Sequence, residues 1–398
     1  MKPQIPFIPI LVALLLVESS MSIDAQSNLS QQPTALASGF EPGPKWLDTS
    51  GTPINAHGGG ILFYDRIYYW FGEHKIAGKA GNSAHVGVHV YSSKDLYQWR
   101  DEGIALSVST DPGSDIAKGC ILERPKVVFN PLTKKFVMWF HLELLGKGYV
   151  SARAGVAVAD KVTGPYSFVG SFRPDAGALP INGSEDLKKP LSAEQAAALA
   201  KSLGESGNGN PDEIFRRDFP GGQMSRDMTL FVDDDGKAYQ IYASEENQTL
   251  HISQLSDDFL KSAGKFIRIF PGDFNEAPAL FKAKGSYYLI TSGCAGWEPN
   301  DARLFRAKSI WGLWEKIGNP CRGTPQQVAR TFDSQSTFVI PSAWTKGEYV
   351  FMADRWNPND AIDGRYVWLP VQFTQDGNVF LEWRSPWKLT AWDAKPLP

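Results

Sequence analysis

Five polar side chains occupy the same place in five similar segments of the chain. Each precedes a short apolar run, a turn and a second run rich in aromatic residues; they are His57, Glu123, Asp227, Glu276 and Gln335. Three of the five are carboxylic acids. Clustered carboxylates are costly unless they are solvated, paired or used, and an acid acting with a base is the arrangement that hydrolyses glycosidic bonds. The set therefore indicates sugar hydrolysis, provided that the fold brings the five segments together.

The five segments themselves predict the elements that would do this. "ERPKVVFNPLTKKFVMWFH" from Glu123 and "EAPALFKAKGSYYLITSG" from Glu276 are typical of β-hairpins, and a second strand pair follows each hairpin. Two hairpins make one four-stranded antiparallel sheet. Five such units predict an all-β fold, a five-bladed β-propeller. Because the innermost strand of each blade lies beside the central axis, we expect the five leading residues at one mouth of the channel.

Two stretches fall outside this pattern. Residues 1–25 are typical of a secretory signal peptide, since their apolar run of about 13 residues is too short to span a bilayer. Export would make the protein secreted or periplasmic. Residues 26–38 are expected to be a linker and residues 39–398 the propeller domain. Between blades two and three, at about 173–222, a helical insertion is predicted, with Ser192 and Gln195 forming a capping box and Gly204 ending the helix.

Charge and cysteine content narrow the function classes. A net charge of −3 over 398 residues offers no attraction for nucleic acid or for an anionic membrane. The three cysteines are Cys120, Cys294 and Cys321, and export permits either a Cys294–Cys321 disulfide or free buried thiols. No CxxC zinc motif is present. We expect a monomer without a metal cofactor, and leave open a structural cation in the central channel.

The ordered motifs "ERPKV", "SRDMTLFVDDDG", "SEEN", "EAP" and "SQST" resemble glycoside hydrolase family 43, over roughly residues 55–387. Within that family the chain is similar to the exo-β-1,3-galactanase branch. The resemblance implies an inverting enzyme that removes galactose from the non-reducing ends of β-1,3-galactan or arabinogalactan side chains. It also implies that Glu276 is the general acid, and that Asp227 orients this acid and tunes its pKa.

Blade one departs from most of the family. An Asp that serves as general base is usual there, but this chain reads "NAHGGGILFY", and the galactanase branch lacks the Asp too. Glu123 and Gln335 match the residues thought to hold the attacking water in that branch. An amide is a weak acceptor, so Glu123 is the better base and Gln335 would orient the water or hold a sugar hydroxyl. His57 would touch the sugar, bind a channel ion through water, or pack.

Further residues match the branch's sugar contacts. Trp297 matches a stacking residue, and Glu73, Tyr149 and Asn247 match positions that contact sugar hydroxyls. Buried polar groups of this kind would distinguish an axial from an equatorial hydroxyl. Two alternatives stay open. One is an α-L-arabinofuranosidase or β-xylosidase with the same fold; the other is a non-catalytic carbohydrate-binding propeller, which the missing Asp of blade one would suit.

Overall fold

Four antiparallel sheets of four strands follow one another in residues 38–390, the part of the chain that the computed structural model describes. The first sheet contains β1 (His57–Tyr64), β2 (Ile67–His74), β3 (Gly87–Ser93) and β4 (Arg100–Ser107). The second contains β5 (Ile121–Asn130), β6 (Lys135–Glu143), β7 (Arg153–Ala159) and β8 (Ser167–Phe172). The third contains β9 (Met228–Val232), β10 (Ala238–Ser244), β11 (Thr249–Leu255) and β12 (Ser262–Ile269). The fourth contains β13 (Asn275–Ala283), β14 (Ser286–Gly293), β15 (Ala302–Ala307) and β16 (Glu315–Gly318).

Two further sheets in the described residues have three strands each. The sheet of β18 (Gln335–Pro341), β19 (Tyr349–Arg355) and β20 (Arg365–Pro370) has the same hairpin order as the first four. The other combines β17 (Cys321–Arg322), β21 (Gln372–Phe373) and β22 (Val379–Glu382), and β17 pairs with β22 in parallel. The all-β propeller class is confirmed, but the predicted count of five blades does not match these six sheets.

The difference in count has a local origin. The inner strands β1, β5, β9, β13 and β18 contact one another in a closed ring, and the sixth sheet supplies none of them. Its two-residue strand β17 precedes β18 in the sequence and pairs with β22, which follows β18–β20. The sixth sheet therefore forms through a contact between segments that are distant in the sequence. A strand of two residues carries no alternation that a sequence pattern could reveal. The predicted signal peptide, and the linker up to residue 37, lie outside the described residues.

The predicted insertion region contains two α-helices, α1 (Ala193–Ser206) and α2 (Pro211–Asp218). The capping box of Ser192 and Gln195 is present at the start of α1. The predicted end at Gly204 is wrong, because the helix continues to Ser206 and Gly207 takes the left-handed conformation (φ 68°) that terminates it. Helix α2 was missed, although Asn210 caps it and Pro211 occupies its first turn. A third helix, α3 (Pro325–Ala329), precedes β18.

A β-bulge interrupts the start of several inner strands, where the ladder register shifts after the leading polar residue. The residue that follows this leading residue is left-handed in three sheets: Gly58 (φ 63°), Arg124 (φ 56°) and Ala277 (φ 53°). A bulge adds one residue to one strand and turns neighbouring side chains in new directions. The left-handed residue therefore sets the direction of the side chains at the mouth of the ring.

Candidate active site

Glu276 lies at the bulge of β13, and its Oε1 accepts a hydrogen bond from Gln335 Nε2 at 3.0 Å. Burial and the negative charge of Asp227 raise the pKa of Glu276 to about 7, although Arg124, the Cys294 thiol and Gln335 act in the opposite direction. The carboxyl therefore keeps a proton up to neutral pH. That property suits a group that must deliver a proton to a leaving oxygen.

Asp227 immediately precedes β9, the inner strand that neighbours β13 of Glu276 in the ring. Its Oδ2 accepts hydrogen bonds from Arg124 Nη2 at 2.8 Å and from the backbone N–H of Ala277 at 3.0 Å. The adjacent Arg226 is an obvious alternative partner in the sequence, but its Nη2 donates to Glu246 Oε2 at 2.7 Å. Asp227 thus keeps its negative charge close to Glu276 while its own oxygen is held by a buried guanidinium.

Arg124 is the functional residue that sequence reasoning missed. Its Nη2 donates to Gln335 Oε1 at 2.6 Å as well as to Asp227, and its guanidinium lies 5.3 Å from the centre of the Trp356 ring. Strand alternation would place Arg124 on the opposite face from Glu123. The bulge of β5 cancels this alternation, so both neighbours contribute to the site.

Glu123 is held as an ionised carboxylate. Tyr149 donates its hydroxyl to Glu123 Oε1 at 2.8 Å, and Nδ1 of His141 lies 3.2 Å from Oε2, an ion pair without a well-aligned hydrogen bond. Burial alone would raise the pKa of Glu123. His141, Lys75 and Tyr149 together outweigh burial and lower that pKa to about 2.

His141 lies between two carboxylates, which explains its charge. It is directly opposite Glu123 in the β5–β6 ladder, and its Nε2 contacts Glu143 Oε1 at 2.9 Å. Burial lowers its pKa, but the close contacts and negative charges of Glu123 and Glu143 prevail and raise it to about 9. The sequence signal was a lone His in an apolar strand, which is more often a core residue than a functional one.

Gln335 uses all of its hydrogen-bonding positions inside the protein. Its Nε2 donates to Glu276 Oε1 and to Ser292 Oγ, both at 3.0 Å. Its Oε1 accepts from Arg124 Nη2 at 2.6 Å and from Trp356 Nε1 at 3.0 Å. Since an amide oxygen has two lone pairs, none is left to accept a proton from an attacking water in this arrangement.

A pocket opens beside Gln335. Trp297, with 40% of its surface exposed, lines it together with Trp356, and the two rings meet edge to face with centroids 6.0 Å apart. An exposed indole beside a polar wall can stack on a sugar ring while the wall contacts hydroxyls.

Asn247 is another of the predicted sugar contacts. Its backbone is left-handed (φ 65°), and its Oδ1 is buried with no hydrogen-bond partner in the described part of the chain.

Two expected sugar contacts lie beneath the site rather than on its surface. His57 is fully buried between the rings of Tyr366 and Trp356, at centroid distances of 5.1 and 5.4 Å. Burial and the charge of Lys75 lower its pKa to about 3, so the ring is neutral. The expectation that His57 touches the sugar is therefore wrong, because it has no exposed surface; it packs. Glu73, which is 2% exposed, accepts from the Arg124 backbone at 3.0 Å and pairs with Lys75 Nζ at 2.7 Å.

The charges at the axis do not suit a metal ion. Glu123, His141 and Asp227 each offer an atom within 4.8 Å of the others. A protonated imidazole cannot be a ligand, however, and His141 has both nitrogens facing carboxylates. Deeper in the ring, the buried side chain of Lys126 lies beside β1 and donates from Nζ to the carbonyl oxygen of Gly58 at 2.8 Å. A cation would meet the Arg124 guanidinium, whereas burial and the charge of Arg124 lower the pKa of Lys126 to about 7.

All three cysteines are free, so the alternative of a Cys294–Cys321 disulfide is not realised. Cys120 and Cys321 are buried, whereas Cys294 is exposed and its thiol hydrogen bonds to Glu276. Although the residue as a whole is exposed, desolvation of its sulfur and the charges of Glu276 and Asp227 raise the pKa of the Cys294 thiol. The group next to the acid is therefore a neutral hydrogen-bond donor.

Comparison with known proteins shows the family of this chain. The model of the family described as Glycosyl hydrolases family 43 matches residues 210–322, and no curated protein sequence matches. A solved family 43 β-1,3-galactosidase with bound galactodeoxynojirimycin is 50% identical; the match covers 88% of this chain and 100% of that one, with a TM-score of 0.79. This chain belongs to glycoside hydrolase family 43.

Two exo-β-1,3-galactanases of the family are similar over most of this chain. The enzyme from Phanerochaete chrysosporium, solved with β-1,3-galactotriose, is 30% identical over 89% of this chain and 69% of its own, with a TM-score of 0.70. The enzyme from Clostridium thermocellum is 35% identical over 86% of this chain and 64% of its own, with a TM-score of 0.68. As a family 43 member, the protein is a glycoside hydrolase.

Proposed function

We propose that this family 43 protein is an exo-acting β-1,3-galactosidase that releases galactose from the non-reducing ends of β-1,3-galactan or arabinogalactan. One observation carries the proposal. The pKa of Glu276 is raised to about 7 and that of Glu123 is lowered to about 2, within a single cluster bridged by Arg124 and Asp227. Opposite shifts of two carboxyl groups are the signature of an acid and a base. The similar enzymes with galactose-type ligands support the choice of sugar.

In the proposed reaction Glu276 donates its proton to the glycosidic oxygen as the bond from C1 to that oxygen breaks. Water attacks C1 from the opposite face and loses a proton to Glu123, so the released galactose has the inverted configuration. The negative charge of Asp227 helps to keep Glu276 protonated before the reaction. Gln335 holds Glu276 and Arg124 in place through its four hydrogen bonds, and water positioning falls to Glu123.

Product analysis on β-1,3-galactan tests the proposal. Galactose is expected as the product, and NMR of the first turnovers should show it as the α-anomer before mutarotation. Release of arabinose or xylose from nitrophenyl glycosides, with none of galactose, would move the protein to the arabinofuranosidase or β-xylosidase alternative. Calorimetric binding of galactan with no sugar released over days would favour the non-catalytic alternative.

The pKa shifts of Glu276 and Glu123 predict how the activity changes with pH. The active form needs Glu276 protonated, and its raised pKa means that this form is lost as pH rises through about 7. It also needs Glu123 ionised, a form lost only as pH falls through about 2. We expect kcat/KM to be level in mildly acidic buffer and to fall about tenfold per pH unit above neutrality. Initial rates in buffers of constant ionic strength measure this.

Asp354 is the control for that assignment, because burial also raises its pKa to about 7. It lies at the wall of the pocket without exposed surface, and its Oδ2 accepts from the backbone N–H of Gly58 at 2.8 Å. An Asp354→Asn variant is expected to keep the alkaline limb near pH 7. Disappearance of the limb in this variant would assign the titration to Asp354 instead of Glu276.

Trp297 is expected to bind sugar without taking part in bond cleavage. Its indole is exposed at the pocket and makes no hydrogen bond to the acid or the base. Trp297→Ala should raise KM roughly tenfold with little change in kcat, since stacking contributes about equally to ground and transition states. Trp297→Phe keeps a ring and should recover most of the affinity. A large fall in kcat with unchanged KM would contradict a pure binding role.

We further propose export through residues 1–25 and action as a monomer, without a nucleic-acid or membrane partner and without a metal cofactor. Among the described residues no helix is long and apolar enough to cross a bilayer. The nitrogen donors of Lys126 and Arg124 near the axis support the proposal that no metal cofactor is bound. Sequencing the N-terminus of the exported protein and sedimentation analysis test the first two.

A further inference from the structure

Tyr149, which donates its hydroxyl to Glu123, lies on an exposed loop. The loop comprises residues 144–151 between β6 and β7, and is called the Tyr149 loop below. Leu144 at its start packs against the core, but the other large apolar side chains are exposed: 50% of Leu145, 44% of Tyr149 and 65% of Val150. Packing against the core therefore does not hold residues 145–150 in place.

Two arginines hold the loop by its backbone. Arg226 Nη2 donates to the carbonyl oxygen of Tyr149 at 2.8 Å. Arg173 donates to the next two carbonyls, from Nη2 to Val150 at 2.8 Å and from Nε to Ser151 at 2.9 Å. Three successive carbonyl groups of the Tyr149 loop thus accept hydrogen bonds from guanidinium groups.

Both arginines are in turn held by carboxylates. Arg226 pairs with Glu246 at 2.7 Å, and Arg173 Nη1 lies 3.4 Å from Asp218 Oδ1. Arg217 joins the two carboxylates: it binds both oxygens of Asp218 at 2.8 Å and Glu246 Oε1 at 3.1 Å. Positive and negative groups therefore alternate without a gap from Arg173 to Arg226, the two residues that hold the backbone of residues 149–151.

Arg217 and Asp218 are the last two residues of α2, in the insertion between the second and third sheets. The helix is itself fixed to the third sheet, because Ile214 and Phe215 are buried and Asp212 pairs with Arg268 at 2.8 Å. The side chain of Asp218 is only 6% exposed. Hydrogen bonds between charged groups that are shielded from water are stronger than ordinary surface ion pairs.

We propose that α2 positions the Tyr149 loop over the active site through the clamp Arg173–Asp218–Arg217–Glu246–Arg226, and thereby holds the Tyr149 hydroxyl on Glu123. The five clamp residues act as positioning residues, and the insertion is a working part of the site. The catalytic consequence rests on the proposed function, because it requires Glu123 to act on the attacking water. The mechanical claim, that the clamp orders the loop, does not.

Arg217→Gln is the first test, and the neighbouring Arg216→Gln is its matched control. Arg216 lies on the same helix but donates to the carbonyls of Lys189 and Pro190 within the insertion, at 2.6 and 2.8 Å. We expect Arg217→Gln to lower kcat/KM for β-1,3-galactobiose about tenfold, the effect of one lost charge-assisted hydrogen bond. It should also speed hydrogen exchange of the Tyr149 loop amides, whereas Arg216→Gln resembles the unsubstituted protein in both measurements.

A double-substitution cycle separates positioning from general loss of structure. In a Tyr149→Phe background, which already lacks the hydroxyl, Arg217→Gln should lower kcat/KM by less than about twofold. Undiminished loss in that background, or equal exchange rates for Arg217→Gln and Arg216→Gln, would overturn the proposal. If Arg217→Gln folds poorly, Asp218→Asn repeats the comparison, with Glu213→Gln as its control because Glu213 lies on the same helix and outside the clamp.

Hydrogen exchange needs no substrate, so the two proposals fail separately. If the protein releases no galactose but loop exchange is faster only in Arg217→Gln, the clamp proposal stands and the proposed function is wrong. If the protein releases galactose but loop exchange is equal in the two arginine variants, the proposed function stands and the clamp proposal is wrong.

Discussion

Replacing Glu276 by Gln is expected to lower kcat on β-1,3-galactan by about 10³-fold or more, because the leaving oxygen then receives no proton. The amide has almost the same shape and can keep a hydrogen bond with Gln335, which lies 3.0 Å from Oε1. Binding of galactose should therefore change little. Steady-state kinetics and calorimetry measure the two quantities.

An activated substrate makes this prediction sharper. A dinitrophenyl β-galactoside has a leaving group that needs no proton, so Glu276→Gln should cleave it with a loss of less than about tenfold. Glu315→Gln is the matched control, because Glu315 lies on the outer strand β16 of the same sheet and pairs with Arg306. Equal losses on both substrates would argue against an acid role for Glu276.

Replacing Glu123 by Gln should have the second largest effect, a fall in kcat of about 10²–10⁴-fold on both kinds of substrate. Neither leaving group removes the need to take a proton from water, so the activated substrate should bring no recovery. The variant also leaves His141 with one carboxylate, Glu143, and so lowers the pKa of the imidazolium. Kinetics on the two substrates, with thermal unfolding as a check on folding, test the expectation.

Tyr149→Phe supplies the graded comparison for Glu123. It removes the 2.8 Å hydrogen bond to Glu123 Oε1 but leaves the carboxylate and its ion pair with His141. We expect kcat to fall about tenfold, which is a much smaller loss than in Glu123→Gln. A Glu123→Gln variant with the original kcat would show that another group takes the proton, and the assignment of the base would have to be abandoned.

The repeated hairpins could be predicted because their chemistry is local. Alternation and turn residues identify the strands, and the ring then gathers the leading residues Glu123, Asp227, Glu276 and Gln335 without further information. His57 shows the limit of this reasoning. It occupies an equivalent place in β1 but is enclosed by aromatic rings from the β18–β20 sheet and its neighbouring loop.

Arg124, His141 and the clamp of α2 could not be predicted for physical reasons. The direction of Arg124 depends on a bulge, which alternation cannot show. His141 acquires its charge from carboxylates on either side, and only the register reveals both. The clamp joins residues from a loop, a helix and the third sheet, so its members have no common spacing in the sequence.

Lys126 has a consequence for how the enzyme handles a polymer. Its buried ammonium is bonded to the Gly58 carbonyl, and its aliphatic stem fills the space between β1 and β5 next to Phe338. This side chain therefore occupies the interior of the ring between two of its five inner strands. For an enzyme that works from chain ends, we expect the released monosaccharide to leave by the mouth at which the polymer enters, so that departure of the product and arrival of the next chain end compete.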